Sequence, residues 1–188
     1  MAVVRAISGR VRTRAELVHV AVAGAVAGAA VAVIVWQQLV HTPWGLPGHR
    51  GVFWFSALIA SRWVIDRPGT AIRVSATSSC LILVVDPAVG GQVVPYLIVA
   101  LLVDRAAATQ VIRRFPWLLL PLAPLIYLAG VLSPFVHLLG ISPLGTVLSG
   151  MWFYIQGHLL WGAAAGAAGL GVGIPGRRLM RRIDSSGR

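Results

Sequence analysis

The chain has no lysine, one cysteine and only five acidic residues among 188. Each shortage removes a class of function. Cys80 alone excludes an internal disulfide, and within an apolar stretch it reads as a small packing residue. The five carboxylates, none paired within an apolar run, provide neither a general acid–base pair nor the relay of a proton-driven pump. Asp66, Asp86 and Asp104 are expected at helix ends, explained by turns and local arginine pairs. No Gly-x-x-x-x-Gly-Lys-Ser/Thr loop occurs, so ATP is not bound by that route. Ser149 and His158 share one apolar run, but no Gly-x-Ser-x-Gly elbow and no nucleophile–base constellation accompany them. The expectation is a protein that is not an enzyme. No close histidine pair or carboxylate cluster points to a metal, and no cofactor is expected.

Apolar residues are what the chain has in excess. They form 57% of it and charged residues 11%, against roughly 45–50% and about 25% in soluble domains. A soluble domain of this length cannot hide that much apolar surface, so a lipid bilayer is the expected partner. The net charge of +11 raises the question of nucleic acid. However, the arginines flank apolar runs, as membrane-insertion signals do, and do not build a solvated basic face. No nucleic-acid partner is expected. An all-arginine basic set in an Ala-, Val- and Gly-rich background looks like the coding bias of a GC-rich bacterial genome.

A membrane span needs about 20 apolar residues, or somewhat fewer where the bilayer thins. Six segments qualify: Leu17–Val40, Gly51–Ile65, Thr70–Val85, Val89–Val103 with a kink expected at Pro95, about Phe115 to Leu139 broken by Pro121, Pro124 and Pro134, and about Leu144 to Gly173. The third is polar through Ser75, Thr77, Ser78 and Ser79, whose hydroxyls can bond back to the helix backbone. The first run exceeds the roughly 7–15 residues of a signal-peptide core and is expected to be a retained helix. With six spans, 15 of the 16 arginines fall on one side and only Arg50 on the other. That asymmetry places both termini in the cytoplasm. The expected fold is therefore an all-α membrane protein, a six-transmembrane-helix bundle in a bacterial inner or plasma membrane. A basic segment (1–16) precedes the membrane domain (17–174), and a basic tail (175–188) follows it. Asp104–Arg114 reads as a cytoplasmic loop, with a short interfacial helix as the alternative.

On this topology the histidines and aromatics gather on the outer side. The first outer loop runs from His41 through Trp44 to His49 and Arg50, then Phe53, Trp54 and Phe55. On the last span Tyr154, His158 and Trp161 share one helix face, while Gln156 lies on another. Trp36, Trp44 and Trp152 read as belt anchors at the membrane boundary. An ionisable residue within a span is costly unless it faces the interior, so His158 and Tyr154 are the leading candidates for an outward ligand pocket. His49 and Trp54 join them as candidate ligand-binding residues. At the other extreme of bulk, Ala21, Ala25 and Ala29 recur every fourth residue beside Gly24, Gly28 and Ala32, a face on which another helix can approach closely. Gly162, Gly166, Gly169 and Gly173 repeat the feature in the last span.

Taken together, the pattern resembles the substrate-binding S components of energy-coupling factor transporters. These are six-helix bacterial membrane proteins of about this length. Ala21, Ala25 and Ala29 match the Ala-x-x-x-Ala face on their first helix. The segment His158-Leu-Leu-Trp-Gly162-Ala-Ala-Ala-Gly166, followed by Arg177-Arg178-Leu-Met-Arg-Arg, is similar to their Gly/Ala-rich last helix and basic tail. The resemblance implies a subunit that captures a vitamin or micronutrient from outside. It also implies docking through the Ala face onto a transmembrane coupling subunit driven by two ATPases. Residue two is Ala2, so the Met-His start of the cobalt and nickel members is lacking, and the resemblance names no ligand. The competing expectation is a non-transport membrane scaffold or assembly partner.

Overall fold

A computed structural model describes residues 51–85, 87, 93–132 and 151–186, with positions 24, 27, 28 and 31 of the first apolar run. Every element among these residues is helical: α1 (Val52–Ile65), α2 (Thr70–Val85), α3 (Val93–Ala108), α4 (Gln110–Arg114), a 3-10 turn (Pro116–Leu118), α5 (Leu119–Val131) and α6 (Met151–Ser186). The fold class is all-α. His49, Ala21, Ala25 and Ala29 lie outside the described residues, as do His41, His137, Trp36, Trp44, Asp86 and Pro134.

Local chemistry explains most helix limits. α1 stops at Asp66, which adopts the left-handed conformation (φ 48°, ψ 35°), and Pro68 and Gly69 (φ 76°) complete the turn. Aspartate is among the few non-glycine residues that tolerate that region. α2 is helical over its serine-rich stretch: Ser78 Oγ donates to the Ser75 carbonyl at 2.9 Å. In α1, Ser56 and Ser61 donate to carbonyls four residues back at 2.7 Å. Back-bonding of this kind lets hydroxyls sit in an apolar helix.

Three sequence expectations change. α3 continues to Ala108, so Asp104 and Arg105 lie inside a helix and not at its end, while Pro95 falls in the first turn and not at a central kink. Proline is tolerated there because first-turn N–H groups have no partner within the helix. The Asp104–Arg114 segment is helical rather than a loop, because Thr109 caps α4 by accepting from the Ile112 N–H. Finally, α6 does not stop near Gly173; it passes through Pro175 and carries the basic tail as a helix to Ser186.

Of the described helices, α6 alone is long and apolar enough to cross a membrane, over Trp152–Ile183. At 1.5 Å per residue its 36 residues reach about 54 Å, whereas the 14 residues of α1 and 16 of α2 reach about 21 and 24 Å, short of a roughly 30 Å hydrocarbon core.

The glycines of α6 decide how the helices assemble. Gly162, Gly166, Gly169, Gly173 and Gly176 alternate spacings of four and three residues, the 3.5-residue period of a supercoil seam. The first two meet α5 and the last three meet α1. A Cβ at Gly162 would lie 2.6 Å from Pro124 Cα, and one at Gly173 would lie 2.7 Å from Trp63 Cβ. The registers show α6 running parallel to α1 and antiparallel to α5. The small residues of α6 are thus spent on contacts within the chain.

The core is mainly apolar, but it also takes in polar groups, and large apolar side chains are left outside it. Arg62, Asp104, Ser61, Ser75, Ser78, Ser79 and His158 are buried, while Val84, Leu125, Trp152, Leu160 and Val172 are exposed. Exposed apolar surface on this scale marks contact with a membrane or another protein.

Candidate functional site

The end of the bundle where α1 and α6 begin gathers aromatic side chains from four helices. Trp54 of α1 stacks on Tyr96 of α3 at 4.4 Å between ring centroids. Its neighbour Phe55 stacks on Tyr127 of α5 at 5.3 Å. Tyr127 then meets His158 of α6 at 5.5 Å, and His158 packs on Tyr154 at 4.1 Å. Offset and tilted arrangements of this kind favour aromatic pairs over perfect sandwiches. The Gly51 backbone hydrogen-bonds the Tyr127 hydroxyl. A side chain at Gly51 would collide with that hydroxyl, so Gly51 meets the site as bare backbone.

Two polar atoms set the chemistry. His158 Nδ1 lies 2.8 Å from the Tyr154 carbonyl, which can only accept, so Nδ1 carries the proton. In the neutral ring Nε2 is then the acceptor. The Trp54 Nε1–H is buried with no hydrogen-bond partner among the described residues. A buried donor left in this way costs about 1–3 kcal/mol relative to a paired one. Trp54, Phe55, Tyr127 and His158 are all buried, so the site is a packed aromatic cluster whose free polar atoms among the described residues include one acceptor, His158 Nε2, and one donor, Trp54 Nε1–H. No cluster of three or more metal-ligating side chains occurs among the described residues.

The structure therefore brings Trp54, Tyr154 and His158 to one end of the bundle, with Trp161 partly buried beside the core and Gln156 exposed. It adds Phe55, Tyr96 and Tyr127 to the site. Tyr96 and Tyr127 left a readable trace, since a tyrosine amid an apolar run must bury a hydroxyl and find it a partner. Trp152 is exposed, as an anchor at a membrane boundary would be.

The opposite end of the bundle is ionic. Arg62, nearly inaccessible, places Nε 2.9 Å from Asp104 Oδ1, an ion pair whose alignment falls outside a hydrogen bond. Asp104 Oδ2 accepts from the Ile72 N–H at 3.0 Å, so one carboxylate binds α1 and holds the first turn of α2. Asp66 accepts from Arg177 Nε at 3.0 Å and from its Nη2 at 2.5 Å, and lies 3.6 Å from Arg62. Arg181 and Arg113 approach within 3.8 and 4.0 Å. Asp66, at the end of α1, keeps the local i, i+4 pair with Arg62 expected there. The other contacts are not local: Asp104–Arg62 joins α1 to α3, and Asp66–Arg177 joins α1 to the far half of α6. An arginine and an aspartate each embedded in an apolar run were the signal, because such charges must find each other.

No known protein-family model, curated protein or solved structure matches this chain.

Proposed function

We propose that the chain is the substrate-capture subunit of a multicomponent importer of vitamins or micronutrients, built as a six-helix bundle with both termini in the cytoplasm. The observation that carries the proposal is the convergence of Trp54, Tyr96, Phe55, Tyr127, His158 and Tyr154 at the end of the bundle opposite the arginines. By the positive-inside rule the arginine end is cytoplasmic, so the aromatic end faces outward. Ring faces supply apolar contact, Trp54 Nε1–H and His158 Nε2 orient the ligand, and the loop containing His49 closes from above. The Ala21, Ala25 and Ala29 face is the docking surface for a transmembrane coupling subunit, and separate ATPases drive transport. Support for that face comes from its neighbours: Gly24 and Gly28 are exposed with open space around them, while Ala27 packs against the core.

The test is to purify the chain in detergent and identify co-purifying small molecules by mass spectrometry. An aromatic or heteroaromatic compound should be retained by the wild type and lost from Tyr154→Ala and His158→Ala. In parallel, Ala25→Leu should abolish association with any membrane subunit captured by the wild type. A chain that retains no ligand and associates normally as Ala25→Leu is a scaffold, and the importer reading fails.

A further inference from the structure

A concavity lies at the arginine end, away from the aromatic cluster. It is a groove of about 420 Å³ between the first apolar run and the α1–α2 corner. Gly28 and Val31 form one wall, Ile65 and Val74 the other, and Arg67 and Arg73 are part of its lining. Both arginines are exposed. The carboxylates nearby are already committed, Asp66 to Arg177 and Arg62 and Asp104 to Arg62, and neither Arg67 nor Arg73 forms an ion pair among the described residues. Two exposed guanidiniums without an ion pair among the described residues therefore stand beside a largely apolar trough, which Thr70 and Thr77 also line.

We propose that this groove binds an anionic phospholipid, its phosphate held between Arg67 and Arg73 and its acyl chain laid along Gly28, Val31 and Val74. Charge complementarity selects the headgroup, since guanidinium forks match phosphate oxygens. The apolar walls select a lipid over free phosphate, which would leave them uncovered. Gly28 is central to the fit: it is exposed, nothing lies within 4 Å of where its Cβ would be, and its lack of a side chain leaves the trough open. The volume suits part of a lipid, falling within the roughly 300–1,000 Å³ of small-molecule pockets. The proposal rests on the membrane reading. The groove shares Gly28 with the proposed docking face but none of its lining with the aromatic site, so loss of lipid selectivity in the arginine variant and loss of ligand in Tyr154→Ala are separate failures.

The test uses the full-length chain, delipidated in a non-ionic detergent and titrated with dioleoyl phosphatidylglycerol or dioleoyl phosphatidylcholine under native mass spectrometry. Phosphatidylglycerol should bind at least about tenfold more tightly, and glycerol 3-phosphate should not displace it. A basic residue near an anionic surface is worth about fivefold in affinity, so the Arg67→Gln/Arg73→Gln variant should lose about tenfold to thirtyfold for phosphatidylglycerol alone. Gly28→Leu fills the trough and should weaken both lipids. Arg105→Gln, an exposed arginine outside the groove, should change neither. Equal binding of the two lipids, an unaffected double variant, or an equal loss in Arg105→Gln each overturns the proposal. Displacement by glycerol 3-phosphate would make the site one for soluble phosphate and also overturn it. Detergent phase separation keeps the failures distinguishable: a chain that stays in the aqueous phase overturns the membrane reading itself.

Discussion

The two ends of the bundle bury polarity by opposite means. At the aromatic end, hydroxyl, indole and imidazole groups are set among rings, each carrying no net charge or only a titratable one. At the arginine end, Arg62 and Asp104 are taken out of water as ions, with Asp66 as a half-buried hub for Arg177 and Arg62. A ring pair loses contact area gradually when altered. A buried ion pair does not, because removing one partner strands the other charge without solvent or counterion. The ionic end ties α1, α2, α3 and α6 together through charge, whereas the aromatic end joins α1, α3, α5 and α6 through ring contacts.

The largest expected effect tests the ionic end directly. Asp104→Ala leaves Arg62 buried alone and removes the acceptor for the Ile72 N–H, so stability should fall by about 3–5 kcal/mol. Thermal unfolding in detergent measures it, and Arg62→Met combined with Asp104→Leu should recover most of the loss. A single replacement costing under about 1 kcal/mol would erase the distinction between the two ends. Next comes the seam that joins them. Gly162→Ala drives a Cβ against the backbone of Pro124, a contact that cannot relax cheaply, and should cost about 1–3 kcal/mol. The matched control is Gly171→Ala, on the exposed side of the same helix with nothing within 4 Å. It should be neutral or stabilising by up to about 1 kcal/mol; equal losses in the two unfolding curves would show that the seam is not a packing contact.

Smaller effects sharpen the aromatic end. Trp54→Phe removes a buried donor that has no partner among the described residues while keeping a ring against Tyr96. Relief of the unpaired donor and loss of packing around the smaller ring oppose each other, so stability should change by less than about 1 kcal/mol, while retention of a co-purified ligand should fall. A large loss of stability with ligand retention intact would make Trp54 a structural residue only. The smallest effect returns to the ionic end. Asp66→Asn weakens contacts at a carboxylate still 29% exposed, so about 1 kcal/mol is expected after solvent screening. That loss should shrink as salt is raised, whereas the Asp104→Ala loss should not. Identical salt responses would merge the two carboxylates into one class.

Much of the helical layout was legible in the residues. α2 occupies the span read from Thr70 to Val85, and α1 begins one residue into its expected segment, because apolar runs bounded by Pro, Gly and Arg leave few alternatives. The facing of Tyr154 and His158 followed from helical periodicity alone. Helix ends without such punctuation were misplaced: α6 passes Pro175, since one proline removes one hydrogen bond while the helix packs on α1 through Gly169, Gly173 and Gly176. Asp104 shows the same limit. Nothing local says that its partner is Arg62, and the expected local pairing gave way to one across helices.

Composition and short-range spacing were enough for the all-α class, the apolar character of the chain and the one-sided distribution of 15 of its 16 arginines. These depend on the chemistry of residues and on short-range spacing, which any single segment carries. Only the tertiary structure decided which face of each helix is spent on its neighbours. It turned the α6 glycines inward, joined Arg62 to Asp104, and added Phe55, Tyr96 and Tyr127 to Trp54, Tyr154 and His158. Those outcomes depend on the registers of four helices at once, and a register is a property of the packed pair, not of either strand of sequence.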